Sequence, residues 1–160
     1  TGIQFKTGSS SEIGRFTTDG LTFNGDTAAA NALDDYEEGS ITGMTVNSGT
    51  VSTDTGRYTK IGNRVFFSVL ISTFSDETSS TTIAITGLPF TSSANNKSSA
   101  TIMGRYYYGS SVQVVGYIQQ SSNQIYLYAM NGTGNWDTIQ HSELTSGSAS
   151  FFITGHYEAA

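Results

Sequence analysis

Cysteine is absent from this 160-residue chain, which removes disulfides, thiolate chemistry and most structural zinc sites and leaves the redox compartment open. Charge is scarce too. Asp, Glu, Lys and Arg together make up 12% of the residues and sum to a formal −6. The seven Lys and Arg are scattered, so no basic stripe faces phosphates and nucleic acid is not an expected partner. No apolar run approaches the roughly 20 residues that span a bilayer, and no signal-peptide pattern is present, so membrane insertion is not expected. A chain opening on Thr1 rather than Met is expected to be a fragment of a longer polypeptide.

With so little charge, solubility rests on hydroxyls and amides, since Ser, Thr, Gly and Asn fill much of the chain. Such a surface suits crowded or extracellular settings. Nine Tyr, nine Phe and many Val and Ile fall in alternating runs, which argues against disorder. One core is enough at this length, because a domain of this size buries roughly 70% of its unfolded surface.

The first 25 residues differ in texture from the rest. Gly2, Gly8, Gly14 and Gly20 recur every six residues and separate the short apolar pieces Ile3/Phe5, Ile13/Phe16 and Leu21/Phe23. A parallel β-helix would need more glycines and a repeat between them. The favoured reading is a shaft of short strands that pack against the same segment in sister chains, with Phe5, Phe16 and Phe23 at the interface. A short helix is expected over Asp26–Tyr36, with Asp26 as N-cap and Gly39 past its end. The acidic run Asp34, Asp35, Glu37 and Glu38 is read as a solvated collar rather than a cation site.

From Ser40 onward the pattern is β. Arg64–Ser72 sets Val65, Phe67, Val69 and Ile71 on one face, and Val112–Gln119 sets Val112, Val114 and Ile118 together. Gln124–Ala129 places Ile125 and Leu127 against Tyr126 and Tyr128, and Ser150–Tyr157 places Phe151, Ile153 and Tyr157 against Phe152 and His156. Turns are expected at 54–56, 62–63, 76–80, 92–99, 109–111, 121–123 and 131–135. Seven or eight strands with no helix between them predict an antiparallel, jelly-roll-like β-sandwich over 40–160. Phe66 and Leu70 lie on the face opposite the predicted core of their strand, so a second covered face is expected there, supplied by a neighbouring subunit.

Catalytic signatures are missing. There is no Gly-x-Ser-x-Gly elbow and no His-x-x-x-His pair, and the carboxylate pairs Asp76/Glu77 and Asp137/Glu143 sit in polar loops. His141 and His156 are read as surface or hydrogen-bonded side chains. No catalytic residue, metal or cofactor is therefore assigned, and no enzyme activity is expected. The sequons at Asn96 and Asn131 carry meaning only in a eukaryotic secretory pathway. The aromatics remain. Of Tyr106, Tyr107 and Tyr108, strand alternation buries at least one face, whereas Trp136, the single tryptophan, is placed in a polar loop beside Asn135 and Asp137 and after Asn131. A flat ring next to short amides and carboxylates suits stacking on a sugar, so Trp136, Asn135, Asp137 and Asn131, assisted by Tyr107, form the candidate glycan site.

Three stretches carry a resemblance: GRFTTDGLTFNGDTAAANALDDYEEG at 14–39, GRYTKIGNRV at 56–65, and ITGLPF at 85–90 with FFITGHYEA at 151–159. Their order and spacing resemble the C-terminal regions of phage tail-fibre proteins, including those of phages infecting cyanobacteria and other marine bacteria. The likeness spans nearly the whole chain. It implies a neck over 1–39 leading into a β-sandwich tip over 40–160, with Tyr58, Lys60, Ile61, Gly62 and Asn63 opening an early strand pair. Where that family often has a Trp-Thr-Pro-like continuation, this chain has Ser40-Ile41-Thr42-Gly43. The resemblance further implies a homotrimer at the distal end of a virion appendage; it names a structural role and not a ligand, and the expected function, recognition of a host cell-surface glycan from outside the cell, rests on the Trp136 site. The alternative is a trimerisation or capping domain that binds no receptor, and a glycan-cleaving enzyme is a weaker third.

Overall fold

The computed structural model describes residues 2–8, 11–27, 33, 35–107, 113–130, 132 and 134–160. Among them there are thirteen β-strands and one short 3-10 turn, His141–Glu143, and no α-helix. The chain divides into two compact units, Thr1–Glu37 with Lys60–Asn63, and Glu38–Thr59 with Arg64–Ala160.

In the first unit, β1 (Ile3–Thr7), β2 (Ser11–Thr17) and β3 (Gly20–Phe23) form an antiparallel meander. The glycine period now has a physical meaning. Gly8 and Gly20 take positive φ where the chain reverses, a conformation that side-chain-bearing residues avoid, while Gly14 lies mid-strand opposite Phe5 and Phe23. Antiparallel pairing rules out a parallel β-helix here. Register places Ile3, Phe5, Phe16, Leu21 and Phe23 on one face, and Phe5 meets Phe16 edge-on at 5.8 Å. Ile3, Phe5, Phe16 and Phe23 remain exposed. On the other face Arg15 forms a two-pronged ion pair with Glu12 at 2.5–2.6 Å. The helix expected over 26–36 falls mostly on 28–32 and 34, outside the described residues; Leu33 makes an isolated bridge to Leu21, and Tyr36 starts a strand. Within the acidic run, Asp34 is also outside them, and Asp35 accepts an ion pair from Lys60.

The second unit is built on one curled antiparallel sheet, sandwich-like and all-β. The strands of this sheet are β4 (Tyr36–Ser40), β5 (Thr45–Val46), β6 (Ser52–Ile61), β7 (Arg64–Ser72), β8 (Ala84–Thr86), β9 (Ser98–Arg105), β10 (Gln113–Ile118), β11 (Gln124–Met130), β12 (Trp136–Thr138) and β13 (Ser150–Glu158), of which the first two residues of β4 and the last two of β6 belong to the first unit. Their order is β4-β6-β7-β13-β9-β10-β11-β8-β5, with β12 added to β11. The last strand thus lies at the centre, bonded to β7 on one side and β9 on the other. Ten strands replace the seven or eight expected, because β5, β8 and β12 are too short to show a period. Residues 54–56 also correct an expectation: they lie inside β6, where Gly56 lets Ile41 approach until their backbones bond at 3.0 Å.

The core follows the alternation read from sequence. Val65, Phe67, Val69, Ile71, Val114, Ile118, Ile125, Leu127, Phe151, Ile153 and Tyr157 are all buried; Val112 lies outside the described residues. Register ties them into rows, such as Val69–Ile153–Ile102 across three strands. At about 1.5–3 kcal/mol for each large apolar side chain fully buried, this cluster is the main source of stability. The hydroxyl of Tyr157 spans the core edge, donating to the Phe90 carbonyl at 3.0 Å and accepting from the Phe90 amide at 3.2 Å.

Candidate functional site

Strands β9 to β12 present their non-core residues on one continuous outer face. Tyr117 on β10 stands opposite Ser99 and Tyr126, and Val115 opposite Thr101 and Tyr128. Trp136 pairs with Met130, one step diagonal to Tyr128. These diagonals bring rings together: Tyr117 to Tyr128 at 6.4 Å and Tyr128 to Trp136 at 5.7 Å. Between them opens a cleft of about 270 Å³ lined by Lys97, Ser99, Val115, Gly116, Tyr117, Tyr128 and Trp136. Gly116 forms its floor for a packing reason. A Cβ there would come 3.0 Å from Ile125 and 3.1 Å from Ala100 on the core side. The volume is below the roughly 300–1,000 Å³ of enclosed small-molecule pockets, and the shape is an open groove walled by rings.

Trp136 is 69% exposed, so a large flat apolar surface faces water. It does not stand in a loop, as the sequence suggested, but opens β12, which extends the edge of β11. That correction moves its neighbours. In a strand, adjacent residues point to opposite faces, so Asp137 shares the parity of Ala129 and turns away from the cleft, while Thr138 shares the face of Trp136. Asn135 is exposed just before β12, and Asn131 lies outside the described residues. Tyr107 does not reach this cleft: its ring tilts on Phe151 at 6.0 Å and joins the core. Lys97, Ser99, Tyr117 and Tyr128 complete the site instead. Their signal in the sequence was the polar or aromatic parity of β9 to β11, but only strand order places the three strands side by side.

The same outer face continues over β9, β13 and β7. Leu70, Phe152 and Met103 form one row in register, and Phe66 stands beside His156 with ring centroids 5.8 Å apart. Phe66, Phe152 and Met103 are exposed and Leu70 is half-buried, so the apolar second face expected at Phe66 and Leu70 exists and extends to Phe152 and Met103. At its end lies a hollow of about 340 Å³ lined by Leu70, Ser72, Thr73, Arg105, Ser148, Ser150 and Phe152. Arg105 donates to Ser150 Oγ at 2.9 Å and lies over the ring of Tyr106.

The titratable groups singled out in the sequence serve the loops. His141 is fully buried, its ring nitrogens 3.3 Å from the Asp76 carbonyl and 3.2 Å from Asn47 Oδ1, so it is a hydrogen-bonded and not a surface histidine. Asp76 accepts from Ser48 Oγ at 2.6 Å, from the Thr78 amide and hydroxyl, and from the Ser79 amide. The Ser48 hydrogen bond foremost, then those from Thr78, holds its carboxyl well below the usual carboxylate range. Glu143 caps the 3-10 turn by accepting from the Gln140 amide at 2.7 Å. Burial pushes the Tyr157 phenol up to about 12. Among the described residues no three His, Asp or Glu cluster to hold a metal.

No family model and no curated protein matches the chain. Among solved structures, its fold is similar to that in the crystal structure of Dettilon tailspike protein (gp208), with a TM-score of 0.60 at 22% identity. The likeness covers 77% of this chain and 24% of that protein, and it is a likeness of fold. This chain therefore spans about a quarter of the structure it resembles.

Proposed function

We propose that the chain is the distal domain of a phage tail fibre, which adheres to host cell-surface polysaccharide through the Trp136 cleft. The observation that carries this is the exposed row Tyr117–Tyr128–Trp136 around an open groove. A pyranose has an apolar C–H face and a rim of hydroxyls, so ring planes flanked by Ser99 and Lys97 suit it, whereas an enclosed drug-like ligand would find no lid. The likeness of fold to a tailspike protein and the tail-fibre resemblance of the sequence motifs support the same reading, in which the domain works outside the cell on a virion. We assign it binding without cleavage: Asp76 and Glu143 are engaged in loop hydrogen bonds, and Asp137 faces away from the rings. The apolar face of β1 to β3 and the Phe66–Phe152–Met103 face are exposed in one chain, which favours self-association, and the tail-fibre resemblance makes a homotrimer the expected oligomer.

The test is adsorption of the folded oligomer to host cells or isolated surface polysaccharide. Trp136→Ala should abolish it, because a shallow site expels little water and depends on its largest ring, with several copies per fibre raising avidity by roughly 10² to 10⁴. Unchanged adsorption overturns the site. Those same uncovered faces favour a second reading, a trimerisation cap without receptor. It predicts a correct oligomer that adsorbs to nothing, with or without Trp136.

A further inference from the structure

We propose that the Trp136 cleft selects anionic polysaccharide, with Lys97 pairing a carboxylate or sulfate on a sugar residue stacked against Trp136 and Tyr128. This rests on the reading of the cleft as a glycan site and adds the charge class of its ligand.

The chain has only seven Lys and Arg residues, and Lys6 stands opposite Glu12 in the register of β1 and β2. Arg15, Lys60 and Arg64 pair with Glu12, Asp35 and Glu158. Arg57 donates to Ser40 and Arg105 to Ser150. Lys97 lines the cleft, and among the described residues no carboxylate pairs with it. It is also the one ionised group in a lining otherwise made of rings, a valine, a glycine and a hydroxyl. The nearest acidic residue in sequence to Trp136 is Asp137, and strand alternation turns it to the other side of β12. The groove therefore offers a cation and no anion.

That sign is informative against the whole chain, which carries a formal −6. A polyanion is repelled by the protein at large and is held only where a local cation meets it. A neutral sugar gains little net free energy from Lys97, because hydrogen bonds from the ammonium to its hydroxyls replace equivalent ones to water. An acidic residue gains a charge-assisted contact while its ring stacks, and the ammonium, a compact point charge on a flexible stem, accepts carboxylate or sulfate without demanding one planar geometry. For an exposed pair the preference is roughly twofold to fivefold per site, and it is screened by salt.

Trp136 is the single tryptophan, so its fluorescence reports this cleft directly. The whole 160-residue chain would be titrated with polygalacturonate against its methyl ester, and with dextran sulfate against dextran. The expected result is that at least one anionic polymer perturbs the emission at about twofold to fivefold lower concentration per site than its neutral counterpart, a difference that fades with added salt. Lys97→Gln should equalise the two members of the pair, and Lys97→Arg should restore the difference. Which pair responds tells carboxylate from sulfate. Equal response to both members of every pair, an anionic preference that survives Lys97→Gln, or no response to any anionic polymer overturns the inference. Its failure is distinguishable from that of the glycan reading. Loss of cell adsorption in Trp136→Ala with no effect of Lys97→Gln sinks the charge selectivity alone, whereas unaltered adsorption in Trp136→Ala sinks the site itself.

Discussion

Replacing Phe151 with Ala removes a fully buried ring from β13, at the centre of the sheet. That ring meets Phe74 edge-on at 5.6 Å and Tyr107 at 6.0 Å, and it fills the space left by Gly104, where a Cβ would come within 2.7 Å of it. The backbone cannot settle into the void, because β13 is bonded to β7 and β9 on its two sides. The cost should then be about 3–5 kcal/mol, the range for a Phe truncated in a rigid core. Against a total stability of roughly 5–15 kcal/mol, and at about 2–4 °C per kcal/mol for a chain of this size, the midpoint should fall by roughly 6–20 °C. Phe152 is the internal control: one residue on, it is 45% exposed on the opposite face. Phe152→Ala should change protomer stability by about 0.5 kcal/mol or less and instead lower the solution mass measured by light scattering. Urea and thermal unfolding followed by circular dichroism would compare the two. A loss below about 1 kcal/mol for Phe151→Ala, or equal losses for both variants, would refute the face assignment.

Two further outcomes follow from the loops and the cleft floor. Because hydrogen bonds from Ser48 and Thr78 depress the Asp76 carboxyl, its contribution is present above its ordinary value of 3.8 and is lost as pH falls through the lower folded value; Asp76→Asn should reduce stability at neutral pH and flatten the stability–pH curve below about pH 3.8, and an unchanged acid limb would remove Asp76 as its cause. Gly116→Val should cost about 1–3 kcal/mol by overpacking, since a Cβ there already crowds Ile125, Ala100 and Ile102, and should shift Trp136 emission before any ligand is added; wild-type unfolding and emission would show that the floor has room.

Much of the fold was legible along the chain, because in a half-buried strand the side chains alternate with period two and burial copies that alternation directly. Val65, Phe67, Val69 and Ile71, Ile125 with Leu127, and Phe151 with Ile153 could be assigned to the core from this alone, and Phe66 and Leu70 to the opposite face, where Phe66 is exposed and Leu70 half-buried. The six-residue glycine spacing marked short apolar pieces that a single chain leaves exposed. Strand neighbours were not legible, because pairing joins residues that are far apart in sequence: β13 inserts between β7 and β9, and β12 attaches to β11. Of the candidate glycan-site residues that the structure describes, Trp136 alone lines the cleft. Asp137 was chosen for adjacency in sequence, which in a strand means the opposite face, and Tyr107 for its aromatic neighbours, which did not reveal that it packs on Phe151. Lys97 and Tyr117 reach Trp136 only through the order and register of four strands, and that is a property of the sheet, decided by which edges bond to which.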